Sequence, residues 1–191
     1  MQPASTYDWT PGVKEIADIS KCAGECEWME ELYPSPDGEK VARVVKIAND
    51  EEAEFGVQVN GQLWENTFEK IWNLRYSPDG RLSALVSEMA EWDLAVDGEA
   101  WGENYAFVWG THFSEKGDVI AANVQADGEY GMLKDGEVWE NLYENANNFV
   151  LSPSGKHTAA VVQTRNIPQA DIDTFQEGCF SVAINGQAWS K

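Results

Sequence analysis

The chain has 191 residues, with 13 Lys and Arg against 33 Asp and Glu, so its formal charge is −20. That charge repels phosphate backbones and anionic lipid headgroups, which argues against nucleic-acid binding and membrane docking and favours basic or apolar partners. Nine Trp, six Tyr and seven Phe predict a folded core. No apolar run approaches the roughly 18 residues of a membrane span.

The leader, residues 1–30, lacks the basic and apolar regions of a signal peptide, so we expect an unprocessed cytoplasmic protein. It contains Cys22 and Cys26 in a C-x3-C pair, and Cys179 is the third cysteine of the chain. Three cysteines fit a reducing compartment and are one ligand short of a four-ligand zinc or iron-sulfur site. We therefore expect free, buried thiols.

The rest of the chain contains four copies of one pattern. Its first marker is a Ser-Pro-Asp-Gly-like turn, and its second is an Asx-Gly dipeptide followed three residues later by Trp. The turns are Ser35–Gly38, Ser77–Gly80, Ser114–Gly117 and Ser152–Gly155, and the dipeptides are Asn60-Gly61, Asp97-Gly98, Asp135-Gly136 and Asn185-Gly186. Because the first marker is typical of a type I turn and the second of a two-residue hairpin, each copy predicts a four-stranded antiparallel meander.

Short β-prone runs separate these markers. They are Lys40–Ile47, Phe55–Val59, Ile71–Tyr76, Arg81–Val86, Trp92–Val96, Val108–Phe113, Val119–Val124, Tyr130–Leu133, Asn147–Leu151, Thr158–Val162 and Phe180–Ile184. A meander of about forty residues has the size of a β-propeller blade. We therefore predict an all-β, propeller-like fold with four-stranded antiparallel blades at about 31–73, 74–110, 111–148 and 149–191.

The spacing of the markers shows where the copies vary. The interval from the glycine of each Asx-Gly dipeptide to the glycine of the next Ser-Pro-Asp-Gly-like turn is 19 residues in all three cases. The interval from the turn glycine to the Asx-Gly glycine of the same copy varies instead, with values of 23, 18, 19 and 31. Insertions therefore fall between the second and third strands, on the face opposite the tight turns. Loops on a rigid scaffold commonly carry binding function.

We accordingly predict a partner-binding site on this face. Its predicted residues are Ile167, Asp171, Ile172, Asp173, Phe175 and Glu177 in the fourth copy, with Asp50, Glu51 and Glu52 in the first. The apolar side chains could anchor a partner and the carboxylates could steer a basic one. The alternative is a loop that only covers a sheet edge.

The fourth copy stops at Trp189-Ser190-Lys191, a few residues into its outer strand. Propellers close by completing a ring. Three possibilities stay open: the chain is part of a larger ring, two arcs associate through their open ends, or Val13–Ser20 supplies a closing strand.

The search for chemical motifs is negative. The chain lacks the nucleophile-elbow, P-loop, zincin and dinucleotide-binding motifs. We expect structural roles for His112 and His157, and the acidic loops lack the spacing of a calcium-binding EF-hand. We therefore predict no catalytic residues and no bound metal, haem or flavin.

The tryptophans divide into three groups. Trp64, Trp101, Trp139 and Trp189 repeat in phase, and Trp72 and Trp109 each stand five residues before a turn serine. We expect both groups to pack blade against blade. The remaining three, which we consider better candidates for partner contact, are Trp9, Trp28 and Trp92.

The repeat as a whole resembles a WD40-like propeller, and four stretches narrow the resemblance. They are Asp8–Lys14, Ser35–Ala42, Trp64–Trp72 and Phe175–Ala183. In these stretches the chain resembles the N-terminal half of the TmcD family, the cytoplasmic, tryptophan-rich propeller subunits of the Tmc transmembrane electron-transfer complexes of sulfate-reducing bacteria. The resemblance implies a subunit that binds no cofactor itself and scaffolds redox subunits beneath the membrane.

Two functions from different classes follow. The first is a non-catalytic protein-interaction scaffold, an accessory subunit of a membrane-associated electron-transfer complex. The second is a propeller enzyme or sugar-binding module with its site at the central channel, which would need acids, His or Arg on the first strands of the blades. Because those strands are mostly apolar and amide, we favour the scaffold.

Overall fold

The computed structural model describes residues 11–18, 26–47, 54–165, 173 and 178–190. Within these ranges the chain forms seventeen β-strands. They are β1 (Cys26–Met29), β2 (Tyr33–Pro34), β3 (Val41–Ile47), β4 (Glu54–Val59), β5 (Gln62–Leu63), β6 (Lys70–Tyr76), β7 (Leu82–Glu88), β8 (Glu91–Val96), β9 (Glu99–Ala100), β10 (Phe107–Phe113), β11 (Ile120–Ala126), β12 (Glu129–Lys134), β13 (Glu137–Val138), β14 (Ala146–Leu151), β15 (Thr158–Gln163), β16 (Phe180–Ile184) and β17 (Gln187–Ala188).

The strands form four antiparallel meanders that follow the chain. The second, third and fourth sheets have the orders β6-β7-β8-β9, β10-β11-β12-β13 and β14-β15-β16-β17. The first sheet has the order β1-β3-β4-β5, and β2 also pairs with β3. Since β1 and β2 are two halves of one first strand, the predicted all-β class with four four-stranded antiparallel blades is confirmed.

The first strand of every sheet is interrupted at a similar place. The register shifts between Trp72 and Arg75 in β6, between Trp109 and His112 in β10, and between Asn147 and Val150 in β14. Asn73, Gly110 and Asn148, the residues that follow the first of each pair, have φ values of 54°, 64° and 54°. These are bulges that bend the strand, and Glu30–Leu32 separates β1 from β2 at the corresponding place.

The sheets begin earlier than the sequence predicted. Strand β1 lies in the segment predicted to be the leader, and the predicted blade boundaries after residues 73, 110 and 148 fall inside β6, β10 and β14. The predicted boundaries lie too far along the chain because each turn marker follows the first strand of its sheet. Residues 11–18 form no strand, and the remainder of the predicted closing segment Val13–Ser20 lies outside the described residues.

The chain divides into two compact units. The first comprises residues 1–104 with 116–118 and contains the first and second sheets, and the second comprises 105–115 with 119–191 and contains the third and fourth. In the first unit, alternate residues Leu82, Ala84 and Val86 of β7 are buried in one apolar core with Ala42 and Val44 of β3. These alternate residues share one face of β7 because successive side chains of a strand point to opposite faces. The residues between them are buried as well, so β7 is covered on both faces.

In the second unit, Trp139 is the largest member of the apolar core, which also includes Met132 and Val162. Its indole N–H donates to Thr158 Oγ1 at 2.7 Å, and an added Cβ at Gly186 would lie 3.1 Å from the Cβ of Trp139. In the first unit, an added Cβ at Gly98 would lie 3.1 Å from Cγ of Trp64. The tryptophan of one copy therefore packs on the Asx-Gly turn of the next within each unit.

The two tight turns of each copy are joined by the Asx side chain. Asn60 Oδ1 accepts from the backbone N–H of Val41 at 2.8 Å, and the other three Asx residues repeat this bond at 2.9–3.0 Å to Leu82, Ile120 and Thr158. The four Asx residues have φ between 47° and 50°, as the first position of a type I′ turn requires. We call this end of each sheet the turn end and the opposite end the loop end.

The cysteines differ in state. Cys179 is free and buried, as expected, but the expectation is wrong for Cys26, which is disulfide-bonded. Because oxidising compartments favour disulfides, the cytoplasmic location inferred partly from cysteine usage stays a prediction. The part of the chain that the structure describes contains no helix with the length and hydropathy needed to cross a membrane.

The hydroxyl of Tyr76 is buried, and none of the described residues forms a hydrogen bond with it. Burial raises the pKa of Tyr76 to about 12, with smaller contributions from Asp97 and Asp37. We expect Tyr76→Phe to raise the free energy of unfolding by about 1 kcal/mol, because a buried polar group without a partner is costly. Urea denaturation of the variant measures this gain.

Tyr143→Phe is the matched control, since the hydroxyl of Tyr143 donates to the carbonyl oxygen of Gly186 at 2.8 Å. The free energy of unfolding of Tyr143→Phe should be about 1 kcal/mol lower than that of the wild type.

Because the folded-state pKa of Tyr76 exceeds the ordinary 10.0, the wild type should lose stability as pH rises from 10.0 to about 12, and Tyr76→Phe should lose less. An equal loss of stability in both Tyr→Phe variants would contradict the prediction.

Candidate functional site

The predicted binding loops fall almost entirely outside the described residues. Among the nine predicted contact residues only Asp173 is described, and it is exposed. The positions of the others, from Asp50–Glu52 and from the fourth-copy insertion, therefore stay predictions.

Both histidines form hydrogen bonds within their own sheets. His112 Nε2 lies 3.0 Å from Asn123 Oδ1, and His157 Nδ1 lies 3.1 Å from Asn185 Nδ2. Since Asn185 Oδ1 already accepts from Thr158, its amide N–H donates to His157. These bonds agree with the structural roles expected for both residues.

Within the described ranges, no three His, Cys, Asp or Glu side chains cluster in a way that could hold a metal ion. Elsewhere the expected lack of metal, haem and flavin stays a prediction. We expect elemental analysis of the purified chain to find less than stoichiometric metal, and its visible spectrum to show no haem or flavin band. One tightly held zinc or iron per chain would contradict this.

The tryptophans expected to pack do so unequally. Trp139 is 6% exposed, and Trp64, Trp101 and Trp109 are half-buried. Trp72, which we expected to pack between blades, is 69% exposed, and Trp189 is 60% exposed. The packing expectation is therefore wrong for these two, because repeat phase fixes a position in the sheet but not what covers it.

The expectation that Trp92 lies outside the repeat is wrong as well. The residue five positions before each Asx is aromatic in all four copies: Phe55, Trp92, Tyr130 and Phe180. Each lies in the first two residues of the third strand, at the loop end of its sheet. The signal was present in the sequence, but it appears only when the copies are aligned on the Asx residues.

A cleft of about 270 Å³ lies between the first and second sheets, at their loop end. The described residues that line it are Glu30, Val44, Phe55, Lys70, Ile71, Trp72 and Trp92. Three of the seven are aromatic, and the exposed indole of Trp72 makes the site accessible. Met89, in the turn between β7 and β8 at the same end of the second sheet, is 85% exposed.

Charged groups at this end of the first two sheets are mostly acidic. Besides Glu30 and Lys70, which line the cleft, the described ones at the strand ends are Glu54, Glu69, Glu88, Glu91 and Lys46. Two cations and five carboxylates give a formal balance of 2 − 5 = −3. The cleft is therefore mostly apolar and aromatic, and the charged side chains at this end of the two sheets have a net negative charge.

No family model and no curated protein matches the chain. Among solved structures, it is similar to the β-propeller domain of the Trilobed protease from Pyrococcus furiosus, which is described as having an open velcro topology. The TM-score is 0.50 at 15% sequence identity, with 88% of this chain and 56% of that chain covered. The chain thus spans little more than half the length of its neighbour. Together with the four meanders, this similarity shows a β-propeller-like fold and leaves catalysis unaddressed.

Proposed function

We propose that the chain is a non-catalytic protein-interaction module that binds a partner at the loop end of its first two sheets. One observation carries the proposal: the cleft presents Trp72, Trp92 and Phe55 to a partner, with Trp72 69% exposed. Exposed aromatic side chains in a concave site are typical centres of protein interfaces.

The cleft favours a protein side chain over a sugar. A sugar ring requires several hydrogen-bonding groups around it. Among the seven described residues of the lining, five have apolar or aromatic side chains, and Glu30 and Lys70 are the charged ones. The alternative of an enzyme or sugar-binding module would use the central channel, and binding of a soluble glycan panel would support it.

The resemblance to the TmcD family extends the proposal. It supports an accessory subunit of a membrane-associated electron-transfer complex, in the cytoplasm, with redox subunits as partners. The extension rests on the leader and on the segment Phe175–Ala183, so it is separate from the argument that the cleft carries.

Affinity purification from native membranes tests the interaction. We expect the wild-type chain to retain a defined partner that Trp72→Ala/Met89→Ala loses, because these substitutions remove the two most exposed apolar side chains at this end of the second sheet. Neither side chain is buried, so the double variant should fold. Haem or iron-sulfur absorbance in the retained fraction would support the electron-transfer role.

Trp189→Ala is the matched control, since Trp189 is nearly as exposed as Trp72 and belongs to the second unit. It should retain the partner. The proposal is wrong if the double variant binds the same partner as tightly as the wild type, or if Trp189→Ala loses it equally.

The insertion of the fourth copy is a second predicted contact region. Replacing residues 166–176 by a short Gly-Ser turn should weaken partner binding and leave the melting temperature unchanged. A fall in melting temperature with binding preserved would instead favour a covering loop.

A further inference from the structure

We propose that one face of the fourth sheet is a self-association surface, on which a second copy of this chain docks with the same face. The fourth sheet belongs to the second unit, whereas the cleft proposed for partner binding lies between the first and second sheets. The inference therefore concerns a different surface and does not depend on the proposed partner site.

The second strand of each sheet shows how far that sheet is covered. In the first three sheets the buried residues of this strand are consecutive: Ala42–Val45 of β3, Leu82–Ser87 of β7 and Ile120–Val124 of β11. Successive side chains of a strand point to opposite faces. A run of consecutive buried residues therefore means that both faces of the strand are covered.

In the fourth sheet burial alternates along the second strand. Ala160 and Val162 of β15 are buried in the core that contains Trp139 of the third copy. Ala159 and Val161, on the opposite face of β15, are only partly buried. The fourth sheet is thus covered by the third copy on one face and not covered in the same way on the other.

We call this second side of the fourth sheet the open face. Its membership follows from the strand register, which places residues opposite Ala159 and Val161 on the same side. The described residues of the open face are Asn147, Val150, Ala159, Val161, Gln163, Phe180, Val182, Ile184, Gln187 and Trp189.

Trp189 belongs to the open face by analogy with Trp139. Its backbone N–H donates to the carbonyl oxygen of Val182, as that of Trp139 donates to Met132, both at 2.9 Å. Met132 and Trp139 lie in one core, which the fourth sheet covers. Trp139 is consequently 6% exposed, whereas Trp189 is 60% exposed. The indole of Trp189 has no such cover.

The open face presents apolar side chains to the solvent and carries no charge. Besides Trp189, Val150 is 53% exposed and Phe180 is 36% exposed. None of the ten described residues of this face is charged, although 24% of the whole chain is. Exposed apolar side chains that form one continuous patch mark association surfaces.

The absence of charge favours a second copy as the occupant. Two chains of charge −20 repel each other, so they associate most easily through a surface without carboxylates. A basic partner gains no electrostatic attraction from an uncharged face. In a two-fold symmetric contact the same patch serves both copies, and two open faces meet without bringing like charges together.

The size of the open face sets the expected strength of this contact. Four strands spaced about 4.8 Å apart, each about six residues long, cover roughly 400 Å². A standard interface buries about 800 Å² per partner. We therefore expect a reversible dimer that dissociates on dilution.

Sedimentation velocity of the purified full chain over a range of concentrations tests the inference. We expect a monomer that converts to a dimer as the concentration rises. Added salt should strengthen the dimer, because it screens the repulsion between the two acidic chains and leaves an apolar contact intact. A contact made by opposite charges would weaken with salt instead.

Val150→Glu should weaken the dimer at least about tenfold, because it brings a carboxylate from each copy into an apolar contact. Val138→Glu is the matched control, since Val138 is 40% exposed, lies in β13 of the third sheet and receives the same added charge. It should dimerise like the wild type. Neither valine is buried, so both variants should keep the melting temperature of the dilute wild-type chain.

A mixture of Val150→Glu and Val150→Lys tests whether the two open faces meet each other. Each variant alone should remain monomeric, since like charges meet in its contact. The mixture should form a mixed dimer, in which opposite charges meet. If the open face docks on a different surface of the second copy, mixing will not restore association.

The inference is overturned by a chain that stays monomeric at high concentration and high salt, by equal weakening in Val138→Glu and Val150→Glu, or by no association in the mixture. If Val150→Glu instead loses a protein retained from native membranes, the open face binds a different partner and the inference is likewise wrong. Trp72→Ala/Met89→Ala should still dimerise, so the partner site and the self-association surface succeed or fail separately.

Discussion

Replacing Trp139 by Ala should lower the free energy of unfolding by about 3–5 kcal/mol, the usual cost of removing a large buried aromatic side chain. The indole is 6% exposed in the core of the second unit, in edge-to-face contact with Tyr143 at 6.5 Å. Its loss leaves a cavity between the third and fourth sheets and removes the hydrogen bond to the buried Thr158. Urea denaturation of the full chain measures the difference.

Trp189→Ala tests whether burial, and not repeat phase, sets this cost. Trp189 has the same place in the fourth copy but is 60% exposed. Its backbone N–H bonds to Val182 and does not depend on the side chain. The change should cost about 0.5 kcal/mol or less, and equal losses in the two variants would show that the contacts of Trp139 are not the source of stability.

Gly155→Ala should destabilise the chain by about 3 kcal/mol, through two effects that add. The residue has φ +71°, where an L side chain costs about 1–2 kcal/mol. An added Cβ would also lie 2.5 Å from Cγ2 and 2.7 Å from Cβ of Val119, a branched side chain that cannot simply rotate away. Overpacking of this kind costs about 1–3 kcal/mol.

Gly38→Ala separates the two effects, because Gly38 closes the same turn in the first copy. Its φ is +72°, and no described atom lies within 4 Å of an added Cβ. This variant should lose only the backbone cost of about 1–2 kcal/mol. If thermal or urea denaturation gives equal losses for Gly38→Ala and Gly155→Ala, the contact with Val119 contributes nothing.

The sequence by itself determined the local architecture. Pro fixes φ near −65°, and Gly and Asx residues tolerate positive φ, so the markers located both tight turns at the turn end of each sheet without tertiary information. They did not locate the two-residue turns Met89-Ala90 and Asp127-Gly128 at the loop end, where the sequence predicted only loops. The Asx side chains then form the hydrogen bonds that link the two turns, as at Asn60 and Val41. The constant interval of 19 residues likewise reflects an outer strand and link of fixed length.

Only the tertiary structure decided which aromatic side chains are covered. Trp72 and Trp109 are equivalent in sequence, yet Trp72 is 69% exposed and Trp109 contacts two rings. The open cleft beside Glu30 was likewise invisible in the sequence, because a side chain in one sheet is covered or left open by residues about forty positions away in the next. Burial is a property of both packed surfaces, whereas a turn is set by the few residues within it.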